Sequence, residues 1–266
     1  MKSKIAFTKK DIAVVLGCAV FLLINLGAIG GGDRRMAKEM VCLSNLRKWG
    51  VMFEMFTNDN DGYFNRGWDI GETDLWMNAL RPYYNNSWNL LLCPEASRVT
   101  QYWSGSGTFM AWYRDVSLPT GGSHRYVSSY SINSWTNNIT QSRGNRLEEL
   151  FWKNVRDVGD KNSIPVFADG TWHDAWPRHT DTPVYTSEGF GIGDQGNSME
   201  INHFCIDRHN GAVNMLFMDW SVRKTGLKEL WVLKWSRGFQ TDGPWTKAGG
   251  VQPSDWPYWM RNFKDF

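Results

Sequence analysis

The sequence predicts an α+β protein: a long N-terminal helix, lipid-facing in its first half and amphipathic in its second, packed on an antiparallel sheet head with long loops. Three observations predict it. Ile12 to Ile29 runs without a single charge. From Met36 the residues Met36, Met40, Leu43, Leu46, Gly50, Phe53 and Thr57 mark one helical stripe, while Arg35, Lys38, Glu39, Arg47, Lys48 and Glu54 occupy other faces. Past Gly62, short apolar segments alternate with turn signals such as Asn85-Asn86, Gly105-Ser106-Gly107 and Pro119-Thr120-Gly121-Gly122, with no internal repeat.

Taken in order, Lys2, Lys4, Lys9 and Lys10 precede the uncharged run. At about 1.5 Å per residue that run spans roughly 27 Å, close to the thickness of a bilayer's hydrocarbon core, so a transmembrane helix with a cytoplasmic N-terminus is expected. A cleaved secretory signal competes, with Gly27-Ala28-Ile29-Gly30 as its cleavage region. The amphipathic continuation favours retention, as one helix or as two joined through Gly30-Gly31-Gly32. Downstream, Ser163 to Ala168 reads as a strand running into Asp169-Gly170. Ala212 to Met218 and Ser221 to Lys224 read as a hairpin around Asp219-Trp220, and Leu227 to Phe239 reads as helix.

Composition narrows the function classes. Hydrophobic residues make up 42% of the 266 positions, so the chain buries a core, and a net charge of +2 gives no basic surface for nucleic acid. All 16 Trp lie at or after Trp49. The Trp-rich segments Thr171 to Pro177 and Asp255 to Trp259 either pack beneath loops or form a platform for sugar rings. No nucleophile elbow, phosphate-binding glycine loop or paired-cysteine metal motif occurs, and the chain is not expected to be an enzyme.

Candidate site residues carry modest signals. His209 and Asp219 are read as structural, either paired across the hairpin or with Asp219 locking the turn by accepting backbone N–H bonds. His173, Asp174, His179, His203, Asp207 and His209 keep a transition-metal site open, although their spacing fits no zinc motif. Asp59, Asp61 and Gly62 stand at the third, fifth and sixth positions of a calcium loop, but Thr57 replaces its first Asp and Trp68 its bidentate Glu. A helix C-terminal turn suits Thr57 to Gly62 better, and calcium held with oxygens from elsewhere in the head stays open. No other cofactor is expected.

The N-terminus resembles type IV pilins and type II secretion pseudopilins: a short basic leader, then Ala6-Phe7-Thr8, a carboxylate at Asp11, an apolar helix and an amphipathic continuation. Cys42 to Phe64, and His209 followed after nine residues by Asp219-Trp220, also resemble the large bacterial pseudopilin-like group with a C-terminal His, nine residues, Asp-Gly signature. Here Trp220 replaces its Gly, Ala6 the usual Gly, Asp11 the usual Glu, and Lys9 and Lys10 stand where apolar residues are usual. The resemblance implies a leader over 1–6, a membrane and assembly helix over 7–32 and a periplasmic pilin-like head over 33–266. It implies cleavage between Ala6 and Phe7 by prepilin peptidase, N-methylation of Phe7, and an assembly contact between Asp11 and a neighbouring Phe7 amine. It also implies single-pass insertion in the inner membrane and polymerisation with other pilin or pseudopilin subunits. The family-like contexts of Cys42 and Cys93 imply a disulfide between them, in an oxidising periplasm. Two alternatives stay open: a membrane-anchored, Trp-rich carbohydrate-binding protein that never polymerises, and a metal-dependent hydrolase on the same anchor.

Overall fold

A computed structural model describes residues 8–27, 31–85, 87–99, 107–187 and 199–266. The chain divides into two compact units, Met1–Lys38 and Glu39–Phe266. Helix α1 is Lys9–Gly27 and helix α2 is Gly31–Asp59. Glycine has the highest conformational entropy to lose in a helix, and the glycines at 30–32 coincide with this division of the expected helix in two. Among the described residues no helix is long and apolar enough to cross a membrane. The first turn of α1 is Lys9-Lys10-Asp11, and the uncharged run from Ile12 to Gly27 follows it. Ala28 and Ile29, which complete the expected span, lie outside the described residues.

In the second unit, α2 enters the core through Cys42, Leu46, Trp49 and Phe53, all fully buried. The predicted stripe holds from Leu46 onward, whereas Met36 and Met40 are exposed. Gly50 is the point of closest approach: a Cβ there would sit 3.0 Å from Leu216 Cδ1. Helix α2 ends in the turn expected of it, with the Asn60 and Gly62 amides returning to the Thr57 carbonyl and Asp61 and Gly62 at positive φ.

Two short helices follow, α3 (Trp76–Ala79) and α4 (Arg81–Tyr84). The strands are β1 (Arg98–Val99), β2 (Met110–Ser117), β3 (Ser123–Ser128), β4 (Tyr130–Asn133), β5 (Pro165–Asp169), β6 (Asp174–Ala175), β7 (Ala212–Phe217) and β8 (Val222–Gly226). They make two sheets, one ordered β1-β2-β3 and one β6-β4-β5-β7-β8. The expected arrangement, one long N-terminal helix on one antiparallel sheet, is therefore corrected: the class is α+β, but with two N-terminal helices and two sheets, each containing a parallel pair, β1 with β2 and β4 with β6.

The strand read at Ser163 to Ala168 is β5, and the hairpin around Asp219-Trp220 is β7 and β8 in antiparallel register. β4, β5 and β7 are buried along their whole length. Trp49 and Phe53 of α2 pack on Phe167 of β5, with ring centres 5.2 and 5.5 Å apart. The helix expected over Leu227 to Phe239 is only a 3₁₀ turn, Leu227–Val232. Leu233 turns extended, and the Lys234 amide leaves the helical pattern to bond the Ser163 carbonyl.

The Trp excess has a structural explanation. Much of the head is 3₁₀ turn and loop, whose carbonyls lack ladder partners and need donors. Buried indoles supply them: Trp49 donates to the Leu90 carbonyl at 2.7 Å, Trp76 to His173 at 2.8 Å, Trp135 to Pro177 at 2.8 Å and Trp231 to Asp181 at 2.8 Å. Each ring fills the core while its N–H ties down irregular backbone.

Candidate functional site

The head carries a cavity of about 290 Å³ lined by Trp68, Asp69, Arg114, Asn137, Arg143, Arg146, Trp172, His173, Asp174 and Trp176, among others. Its floor is the edge strand β6, which holds Asp174 in parallel register with Ile132 of β4. The Asp174 carboxylate lies 2.7 Å from His173 Nδ1 as an ion pair and accepts from Trp68 Nε1 at 2.6 Å. Burial works against its charge, but His173 and Trp68 outweigh it and hold the carboxyl below its usual range. The walls are guanidinium-on-indole pairs: Arg114 lies 4.9 Å over Trp68 and 5.7 Å over Trp172, and Arg146 lies 3.5 Å over Trp176. Glu72 anchors Arg114 at 2.6 Å, and Glu200 reaches Arg146 at 3.3 Å. Burial raises the Glu200 carboxyl to about 7.

Several lining groups have unmet hydrogen-bonding capacity. Among the described residues, Asp69 Oδ1, Asn137 Oδ1, both ring nitrogens of His173, Trp176 Nε1 and Arg114 Nε are buried without a hydrogen-bond partner. Six such atoms around one cavity, acceptors and donors together, can bind a polar, uncharged or zwitterionic ligand by complementary hydrogen bonds.

A second constellation lies deeper, at the junction of α2, β5 and the segment before β7. Cys42, Cys93, Asp169 and His209 are all buried, and their ligand-type atoms lie within 4.8 Å of one another. Asp169 is the hub: it ion-pairs with His209 Nε2 at 3.0 Å and accepts from Arg208 Nη1 at 3.1 Å and the Asn214 amide at 2.9 Å. Burial opposes the Asp169 charge, yet His209 and Arg208 hold the carboxyl well below its normal range. His209, though buried, is raised to about 10 by Asp169. Burial pushes Cys42 up. Against its own burial, Cys93 falls to about 7 through its contacts with Cys42 and His209.

The structure brings together three of the sequence candidates, Cys42, Cys93 and His209. The disulfide implied between Cys42 and Cys93 is corrected: both are free thiols, side by side. The pairing of His209 with Asp219 is also corrected. Asp219 instead locks the exposed hairpin turn, the other structural role expected of it, by accepting from the Ser221 amide at 3.0 Å, with Trp220 at φ 64° beside it. The partner of His209 is Asp169, whose only sequence signal is a charge ending an otherwise apolar strand.

Among the described residues Asp59 and Asp61 belong to no converging group of three or more His, Cys, Asp or Glu; Asp59 accepts from the Tyr83 hydroxyl at 2.9 Å, and the Asp61 carbonyl accepts from Asn154 at 3.0 Å. The wider His and Asp group does not converge either. His179 packs against Phe239, Asp207 caps the Gly211 amide, and His203 meets the Thr171 hydroxyl. Asp11 lies in the first turn of α1, where its carboxylate accepts from the Thr8 amide at 2.8 Å and the Thr8 hydroxyl at 2.7 Å. Ala6 and Phe7 lie outside the described residues.

No family model matches the chain, and no curated protein or solved structure matches it.

Proposed function

We propose that the chain is a structural, pseudopilin-like subunit of a type II secretion or type IV pilus-like filament. In this reading prepilin peptidase cuts between Ala6 and Phe7, the N-terminal helix inserts once into the inner membrane with the head in the periplasm, and other subunits then pack against it. One observation carries the proposal. Val14, Val15, Leu16 and Val20 of α1 are exposed, as are Met36, Met40, Val41, Val51 and Met55 of α2, each about half or more accessible. Apolar faces of that extent on the N-terminal helices call for lipid or for neighbouring helices. The Asp11 carboxylate is exposed at the start of α1, where it accepts from Thr8, and in this reading the amine of a neighbouring Phe7 joins those donors.

The test is the mature N-terminus of the chain in its host, read by mass spectrometry. Loss of Met1 to Ala6 with one methyl group on Phe7 is expected, and an intact Met1 or a cut after Ala28 would overturn the proposal. Asp11→Ala should lower filament crosslinking at least ten-fold while leaving the chain in the membrane fraction.

The cavity supports a second reading, a membrane-anchored carbohydrate-binding protein that does not polymerise. Its unmet donors and acceptors suit sugar hydroxyls, and the arginines that cover its indoles leave hydrogen bonding rather than face stacking as the means of recognition. A glycan array probed with the full chain in detergent decides it: His173→Ala should abolish any signal.

A further inference from the structure

We propose that Cys42, Cys93, Asp169 and His209 hold a structural zinc ion, which ties helix α2 to the loop before β1 and to the five-stranded sheet. The geometry is the first support. In a tetrahedral zinc site, bond lengths of about 2.3 Å to sulfur and about 2.0 Å to nitrogen or oxygen place sulfur roughly 3.5 Å from a nitrogen or oxygen ligand, and nitrogen about 3.3 Å from oxygen. Here Cys93 Sγ lies 3.5 Å from His209 Nε2, Cys42 Sγ 3.5 Å from Asp169 Oδ1, and His209 Nε2 3.0 Å from Asp169 Oδ2. These separations are close to tetrahedral edges, Cys42 Sγ also lies 3.6 Å from Asp169 Oδ2, and the four ligand atoms lie within 4.8 Å of one another, so small shifts suffice to seat the ion.

Charge is the second support. Two thiolates and a carboxylate carry three negative charges, and a divalent ion with the Arg208 guanidinium carries three positive ones. Arg208 is fully buried and fixed by the Thr108 carbonyl at 2.7 Å and the Ser129 carbonyl at 2.6 Å, so it cannot leave the site. A neutral assembly is the one a dry core tolerates.

The outer contacts are those of a ligand-orienting shell. The Tyr130 hydroxyl donates to Cys42 Sγ at 3.4 Å, the Cys93 amide to Ser129 Oγ at 2.7 Å, and the Asn214 amide to Asp169 at 2.9 Å. Two sulfurs and an imidazole select a borderline-soft ion over calcium or magnesium. Four protein ligands with no exposed face make the site structural rather than catalytic, which separates it from the hydrolase alternative. On binding, the ion displaces the two thiol protons and the proton on His209 Nε2, all released to solvent.

Full-length chain purified in detergent without chelator, and analysed by elemental mass spectrometry, is expected to carry about one zinc per chain. Cobalt exchanged into it should give the intense visible bands and sulfur charge-transfer band of a tetrahedral dithiolate site. His209→Ala and Cys42→Ser should each lower bound metal at least ten-fold. Because those variants can fail to fold, the unmodified chain is also treated with a thiol reagent, which should release zinc as two thiols react. Less than one-tenth equivalent of zinc together with no cobalt charge-transfer band would overturn the proposal. So would a Cys42–Cys93 disulfide in non-reducing peptide maps.

Discussion

Replacing Gly170 with alanine should separate two central strands of the head. Gly170 follows β5 directly, and its amide bonds the Ser129 carbonyl at 3.0 Å. A Cβ added there would lie 1.8 Å from Ser131 Oγ and 2.5 Å from Ser131 Cβ. A hydroxyl can rotate away, but a Cβ cannot. Restoring an ordinary contact of about 3.4 Å requires a movement of roughly 0.9 Å between backbones that close packing otherwise fixes. Ser131 is fully buried on β4 and paired with Ala168 of β5, so the movement strains that ladder beside Asp169. Overpacking of this kind costs about 3 kcal/mol, the upper part of the usual range. With a slope of about 2.5 kcal/mol per molar urea for a head this size, the unfolding midpoint should fall by roughly 1 M. Tryptophan fluorescence reports it directly, since the rings lie throughout the core. Adding Ser131→Gly removes the clashing Cβ and should recover most of the loss, despite the roughly 1 kcal/mol that glycine itself costs in a strand. A Gly170→Ala chain within 0.5 M of the parent midpoint, or a double variant weaker than the single one, would refute the steric reasoning.

Further outcomes follow from other residues. Glu200 is raised from 4.5 to about 7 in the folded chain, so the native state keeps a proton that the unfolded state releases between those values; stability should fall as pH rises through this window, by about 3 kcal/mol in total. Glu200→Gln cannot ionise, and its stability relative to the parent should improve by about that amount between pH 4 and pH 8; a pH-independent difference contradicts the assignment. His203 acts with the opposite sign: burial lowers it from 6.5 to about 4, so its contribution is present above pH 6.5 and lost as pH falls toward 4, and His203→Gln should flatten that acid limb in urea titrations. Trp49→Phe removes the donor to the Leu90 carbonyl and part of the contact with Trp76 and Phe167, and should cost about 2 to 4 kcal/mol by the same assay, whereas a neutral result would mean that the indole donor is dispensable.

Periodicity and charge are local properties, and what they determine was readable directly from the sequence. The uncharged run gave α1, the 3.6-residue stripe gave the core face of α2 from Leu46 onward, and the turn residues around Asp219 placed the β7–β8 hairpin. The excess of Trp marked the head, because large rings with one donor suit a domain rich in loops. Sequence context also put Cys42 beside Cys93, through family-like surroundings, although as thiols rather than as a bridge. The partner of His209 was not legible, because Asp219 lies ten residues away in the chain and Asp169 forty. The fold decides between them by running β5 antiparallel to β7, which carries the end of one strand to the start of the other. The cavity is likewise a tertiary product. Asp69, Arg114, Asn137 and His173 come from four separate stretches with no shared spacing, and only the packing of β6 against the surrounding turns gathers their unpaired polar atoms around one cavity. Local pattern specifies which faces are buried; which buried groups meet depends on strand order and register, and those are set by the whole chain at once.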